Sequence, residues 1–174
     1  MSGSVSVRLV SVDDVDEITA LVARNLEFLA PWDPARDGDY ATEIVQRRLI
    51  IESLDRHTDG LSLPLVITVD DRIAGRINLH DIVRGPFQSA HLGYWVSEDR
   101  TGRGVASAAV AAAAALAFGT YGLHRLQAAT LVHNLGSQRV LERNAFTLIG
   151  LAPHYLQIAG RWQDHLLFQR VAPS

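Results

Sequence analysis

The stretch VSEDRTGRGVASAAVAAAAALAF, residues 96–118, constrains this chain more than any other. A β-rich run ends at Val96, a turn carries Gly102 and Gly104, and the chain then holds no charged side chain from Gly104 to Leu123. Glycines let successive backbone N–H groups point one way without Cβ obstruction, and a helix N-terminus adds partial positive charge. The two together suit an anion. Arg103 can add a full charge, and the small Ala106 and Ser107 leave room at the first helical turn. A phosphate loop of the GxxxxGK[ST] type is excluded because the chain has no lysine, and three spaced glycines of a dinucleotide turn are not present. The same residues also suit an ordinary tight turn. A membrane span over Gly104–Leu123 is rejected: alanine and glycine gain little from lipid, the segment holds Ser107, Thr120 and Gly122, and basic and aromatic anchors do not flank it in the usual pattern.

The 174 residues suit one compact domain, 1–174, able to bury a core without staples. With no cysteine there is no disulfide, thiolate metal site or cysteine acyl-enzyme, so any acyl transfer is direct or uses another nucleophile. A net charge of −3 argues against direct nucleic-acid binding. The N-terminal MSGSVSVRLV lacks the pattern of a signal peptide, and a cytoplasmic protein with no membrane association is expected.

Val5–Leu9 reads as a strand, and Ser11 to Asp14 as a capping box. Val15, Ile18, Val22, Leu26 and Leu29 follow at helical spacing, ending near Ala30-Pro31. After a Pro/Asp/Gly loop, a second helix is expected over Tyr40–Asp55, with Ile44, Leu49 and Ile51 partly buried. Strands are expected at Leu63–Val69, Ile73–Val83 and Ala90–Val96, then a helix over Val105–Phe118. A strand at Arg125–Val132, a helix at Leu135–Arg143 and strands at Phe146–Leu151 and Leu166–Val171 complete the chain. This order predicts an α/β (α+β) fold: a mixed, mostly antiparallel sheet of about seven strands, a β-α-β crossover, and helices on both faces.

At this point the chain resembles the GNAT acetyltransferases. Their loop Q/R-x-x-G-x-G/A appears as Thr101-Gly-Arg-Gly104-Val-Ala106, with Thr101 departing from the usual Gln or Arg. Their N-x-x-S helix appears from Asn134 and Ser137 to Phe146, with Ala145 in place of the usual Gly. The segments Phe28–Pro34, Val83–Gln88, Leu92–Trp95 and Gly160–His165 extend the resemblance to the RimJ/RimL ribosomal-protein-alanine N-acetyltransferase subfamily, over roughly residues 7–170.

The resemblance implies that the amides of Gly102, Arg103, Gly104, Val105, Ala106 and Ser107 bind the pyrophosphate of acetyl-CoA. Trp95, Val96 and Ser97 would pair with its pantetheine arm, and Asn134 would bond a pantetheine amide. The family's usual proton-donating Tyr is Leu141 here, which leaves Ser137 to protonate the departing thiolate. His91 stands where relatives often carry Glu and is the candidate base, with Glu98, His80 and Asp164-His165 as rivals and a water relay as an alternative. Glu27, Trp32, Asp33 and Tyr94 are expected around the acceptor. His124, His133 and His154 lack metal-ligand spacing, so no metal is expected. The implied reaction is acetyl transfer to a primary amine, foremost a protein N-terminus; a small amine, amino acid or antibiotic is the alternative acceptor. A non-catalytic acyl-CoA-binding module is the alternative of another class. Pairing of two chains into a homodimer stays open.

Overall fold

The computed structural model describes residues 3–173. Its elements in chain order are β1 (Val5–Leu9), α1 (Val15–Leu29), α2 (Glu43–Thr58), β2 (Leu63–Val69), β3 (Arg72–Val83), β4 (Ser89–Val96), α3 (Val105–Ala115), β5 (Arg125–Leu131), α4 (Leu135–Arg143), β6 (Thr147–Ile158) and β7 (Arg161–Val171). One seven-stranded sheet runs in the order β1-β2-β3-β4-β5-β7-β6. Only β4 and β5 are parallel; every other neighbouring pair is antiparallel.

Two hydrophobic layers fix the sheet between helices. On one face Ile77, Leu79, Leu92, Val96 and Leu126 pack with α3 and with Leu141 of α4. On the other, Val66 and Ile73 pack with Val15, Ile18 and Val22 of α1 and Ile50 of α2, with Trp95 at the margin. The alanine tract explains itself here. Ala109, Ala113 and Ala114 have no exposed surface, so α3 lies close against the strands where larger side chains would hold it away.

Several expected boundaries move. The second helix starts at Glu43 because the Thr42 hydroxyl caps it, while Tyr40 and Ala41 pack against the core ahead of the helix. It then runs on to Thr58, past the expected Asp55. Ile44 and Ile51 face solvent, 83% and 42% exposed, against the expectation of partial burial. The third helix keeps α geometry only to Ala115 and closes in a π turn over Leu116–Thr120. The last two strands are longer than their alternation suggested. Register shifts between Leu148 and Gly150 and between Ala152 and Leu156 break the two-residue period that marks a strand.

Candidate active site

The parallel contact between β4 and β5 lasts three residue pairs, Ser89↔Arg125, Ala90↔Leu126 and His91↔Gln127. Beyond His91 the strands part, leaving the edge of Leu92–Val96 without a strand partner on that side. An unpaired strand edge offers N–H and C=O groups to an extended ligand. Trp95 and Val96 lie on this edge. Gly75 opposite Val96 permits the tight β3–β4 contact, since a Cβ there would meet the Trp95 carbonyl. Ser97 is already committed: its N–H donates to the Ala74 carbonyl, its carbonyl accepts from the Arg100 N–H, and its hydroxyl meets the buried Asn25 amide at 3.0 Å. The Asn25 carbonyl oxygen accepts the Glu98 N–H at 2.9 Å. Asn25 was missed from sequence, although a polar residue continuing the apolar stripe of Ile18, Leu21 and Val22 is a readable signal.

Below that edge, Gly102 and Gly104 adopt φ of +71° and +79°, and nothing lies within 4 Å of where their Cβ atoms would be. Left-handed backbone is what reserves both positions for glycine. Gly104 ends the turn as the N-cap of α3 without a side-chain cap bond, so the first-turn N–H groups of Val105, Ala106 and Ser107 face outward from the helix end. Arg103 is exposed beside them. The Ser107 hydroxyl and carbonyl are held by the Asn144 amide, at 3.2 and 3.1 Å, which ties the start of α3 to the end of α4.

Across the gap, Asn134 caps α4 by accepting the Ser137 N–H at 3.1 Å. That leaves its side-chain NH₂ as the group available to a ligand. Ser137 shares a 2.8 Å hydrogen bond with the Tyr94 hydroxyl. Tyr94, expected near the acceptor, packs with the α3-side core and joins Ser137 instead. Burial pushes the Tyr94 phenol up to about 12, so it stays a proton donor at neutral pH. Leu141 is fully buried core.

The opposite sheet face carries the other group of expected residues. His91 stacks on His80, its cross-strand partner, with ring centroids 5.6 Å apart. Asp81 sits at a bulge with φ +51°, which turns its carboxylate back to 3.1 Å from His80 Nδ1 and 3.9 Å from His91 Nδ1. Burial, with His80 alongside, holds the His91 imidazole below its ordinary value against the opposing pull of Asp81. The His80 hydrogen bond holds the Asp81 carboxyl below the usual carboxylate range. The ligand atoms of these three residues lie within 4.8 Å of one another, but Arg56 already approaches the second Asp81 oxygen at 3.4 Å. A small cavity lined by His91, Gln127, Ala129, Tyr155 and Leu167 adjoins them.

Of the rival bases, His80 stands beside His91, and the others lie elsewhere. Glu98 is seven residues past His91, about 20 Å away at strand rise, and is exposed beside the glycine turn. Asp164 accepts the His154 N–H at 2.9 Å, and the buried His165 is bonded to the Gln163 carbonyl. The loop after α1 arches over this face. Trp32 packs on His133 at 5.5 Å, and the Asp33 carbonyl accepts the Ala159 N–H from the β6–β7 turn. The Asp33 carboxylate is paired with Arg36 at 3.2 Å. Glu27 stands exposed on α1, with no hydrogen bond to any of these residues.

A family model described as an acetyltransferase (GNAT) domain matches residues 5–147. The chain is 33% identical over 173 residues to the probable N-acetyltransferase YjcK of Bacillus subtilis strain 168, covering 98% of this chain and 96% of that protein. It is 32% identical over 170 residues to the ribosomal protein uS5-alanine N-acetyltransferase of Escherichia coli strain K12, covering 97% and 88%. Among solved structures, Mycobacterium smegmatis RimJ in complex with CoA-disulfide superimposes with a TM-score of 0.94 at 31% identity, over 98% of this chain and 83% of that one. No helix among the described residues is long and apolar enough to cross a membrane. A mixed sheet parted beside a glycine-led helix, matched along nearly its whole length by N-acetyltransferases, makes this chain a member of the GNAT acetyltransferase family and an enzyme rather than a passive binding module.

Proposed function

We propose that this enzyme, as a single domain, transfers the acetyl group of acetyl-CoA directly to the N-terminal α-amine of a protein. The observation that carries the reading is the parting of β4 and β5 just past His91, with a protonated Tyr94–Ser137 pair on one sheet face and a neutral-leaning histidine on the other. The ribosomal protein uS5-alanine N-acetyltransferase relative supports the choice of a protein terminus.

Acetyl-CoA supplies an activated thioester. The residues present fit it: the turn carries two positive-φ glycines with open space above them, and the helix end behind it is uncapped. The amides of 102–107 and Arg103 hold the pyrophosphate, the β4 edge at Trp95 and Val96 holds the pantetheine arm, and the Asn134 NH₂ bonds an amide of that arm. A β4 N–H group donates to the carbonyl oxygen as charge grows on it. His91 accepts the ammonium proton, directly or through one water, and Asp81 keeps His80 oriented beside it. Ser137, backed by Tyr94, gives a proton to the departing sulfur. Trp32 walls the acceptor side. No residue of this scheme requires a metal, and dialysis against a chelator is expected to leave the rate unchanged.

The first test is thiol release from acetyl-CoA with peptides bearing free N-terminal Ala, Ser or Met beside a panel of small amines and free amino acids. Turnover confined to peptides, abolished by blocking the terminus, is the expected result. Turnover confined to small amines overturns the protein-terminus reading.

A further inference from the structure

The acceptor-side floor of the sheet can be read as a ladder. Successive cross-strand pairs on this face are His80↔His91, Asn78↔Gly93 and Arg76↔Trp95. Their neighbours Ile77, Leu79, Leu92 and Val96 belong to the opposite, α3-side core, which confirms that the six share one face. Gly93 leaves the middle rung bare; among the described residues beyond its chain neighbours, only His80 Nε2 lies within 4 Å of its missing Cβ, at 3.6 Å.

Two buried polar atoms on this floor lack partners among the described residues: Arg76 Nε and Asn78 Oδ1. Among the described residues no carboxylate lies within ion-pair distance of Arg76. Burial draws the Arg76 guanidinium down from its ordinary value, against a small opposing pull from Tyr40. A guanidinium nevertheless stays charged at neutral pH. A shielded cation with no anion costs stability unless a ligand supplies the charge.

We propose that Arg76 and Asn78 form an acceptor subsite that selects peptides with an acidic side chain at the second or third position. This rests on the protein-terminus reading and deepens it. The spacing excludes a free amino acid as the preferred ligand. Arg76 pairs with Trp95, four residues from His91, which is about 13 Å along a strand. An α-carboxylate two bonds from its own amine spans only a small part of that separation. A side chain one or two residues further along an extended peptide can, at about 3.5 Å per residue plus its own reach. Over the bare Gly93, the Asn78 oxygen accepts a peptide N–H, and the Arg76 fork takes the carboxylate.

The test is calorimetric. With unreactive CoA bound, the enzyme is titrated with peptides beginning Ala-Glu and Ala-Ala-Glu, with their Gln counterparts, and with free glutamate. At least one Glu peptide is expected to bind tenfold or more tightly than its Gln counterpart and than free glutamate. Arg76→Gln is expected to erase that difference and Arg76→Lys to retain part of it, with circular dichroism and melting temperature reporting that each variant is folded. Equal affinity of Glu and Gln peptides for the unaltered enzyme overturns the proposal, as does a preference that survives in Arg76→Gln or free glutamate binding as tightly as the peptides. Because the readout is binding, acid-selective binding without acetyl transfer supports the subsite while overturning the protein-terminus reaction, so the two failures are distinguishable.

Discussion

Ser137 and Tyr94 come from elements far apart in sequence and meet through a 2.8 Å hydrogen bond. A lone serine hydroxyl is a weak acid, so its competence as a donor to sulfur depends on what stands behind it. Ser137→Ala is expected to lower kcat by about a hundredfold, within the range for general acid catalysis. Tyr94→Phe keeps the ring and removes only the hydroxyl, and should cost about tenfold, with the double variant no worse than Ser137→Ala because the two act as one unit. Steady-state kinetics on the four proteins settles it, and full additivity would show that Tyr94 acts independently of Ser137. His91 makes a pH prediction with a definite sign. A base must be unprotonated, so activity is present above its pKa and lost as pH falls through it. Burial holds that pKa below the ordinary histidine value, so the acid limb of kcat belongs below about pH 6.5. His91→Ala should lower kcat and flatten that limb; an unchanged profile would leave a water relay without His91.

At the scale of elements, the glycine turn is the part most exposed to a single change. Gly104 holds φ +79° with open space around its missing Cβ, so alanine there meets strain rather than a clash, on the order of 1–2 kcal/mol. The turn relieves this by rotating its amides away from the helix axis. Gly104→Ala is therefore expected to raise KM for acetyl-CoA by about tenfold or more while kcat changes less, measured by varying acetyl-CoA at saturating acceptor. Equal KM would detach the turn from cofactor binding. This element was legible in the sequence because its chemistry is local: two glycines, an uncharged helix and a preceding strand can be read in order. The Ser11 and Asp14 capping box was legible for the same reason. The β6–β7 hairpin was read short because bulges interrupt its alternation. The placement of Tyr94 was missed because which face of β4 meets α4 depends on pairing with strands remote in sequence. Arg76 carried no signal at all; an arginine on a strand usually faces solvent, and its burial near Tyr40, from the loop between α1 and α2, shows only in the fold.

At the scale of the molecule, β1 is an edge strand, and α1 is fastened to it through one ion pair. Arg8 donates two parallel 2.8 Å bonds to the Asp14 carboxylate, which also accepts the Ser11 N–H at 2.8 Å in the capping box of the short 3₁₀ turn, Val12–Asp14, that leads into α1. The Arg8 hydrogen bonds, joined by the Ser11 amide, hold the Asp14 carboxyl below its ordinary value despite its partial burial. In the unfolded chain Asp14 titrates near about pH 3.9, so between the two values the unfolded state binds the proton more readily. The stabilisation from this tie is thus complete above the unfolded pKa and lost as pH falls through the folded one. Asp14→Asn keeps one hydrogen-bonding oxygen but removes the charge that both Arg8 bonds use. It is expected to cost about 1 kcal/mol near pH 7, the size of a helix-cap loss, and progressively less as pH falls below the unfolded value and through the lowered folded one, where the unaltered carboxyl takes up its proton too. Urea unfolding of both proteins across that range measures the difference. A gap that stays constant with pH would mean that packing around Asp14, rather than its charge, holds the start of α1 against β1, with the Asn25 bonds to Ser97 and Glu98 and the Glu17 bond to the Ile73 N–H left as the polar ties of α1 to the sheet.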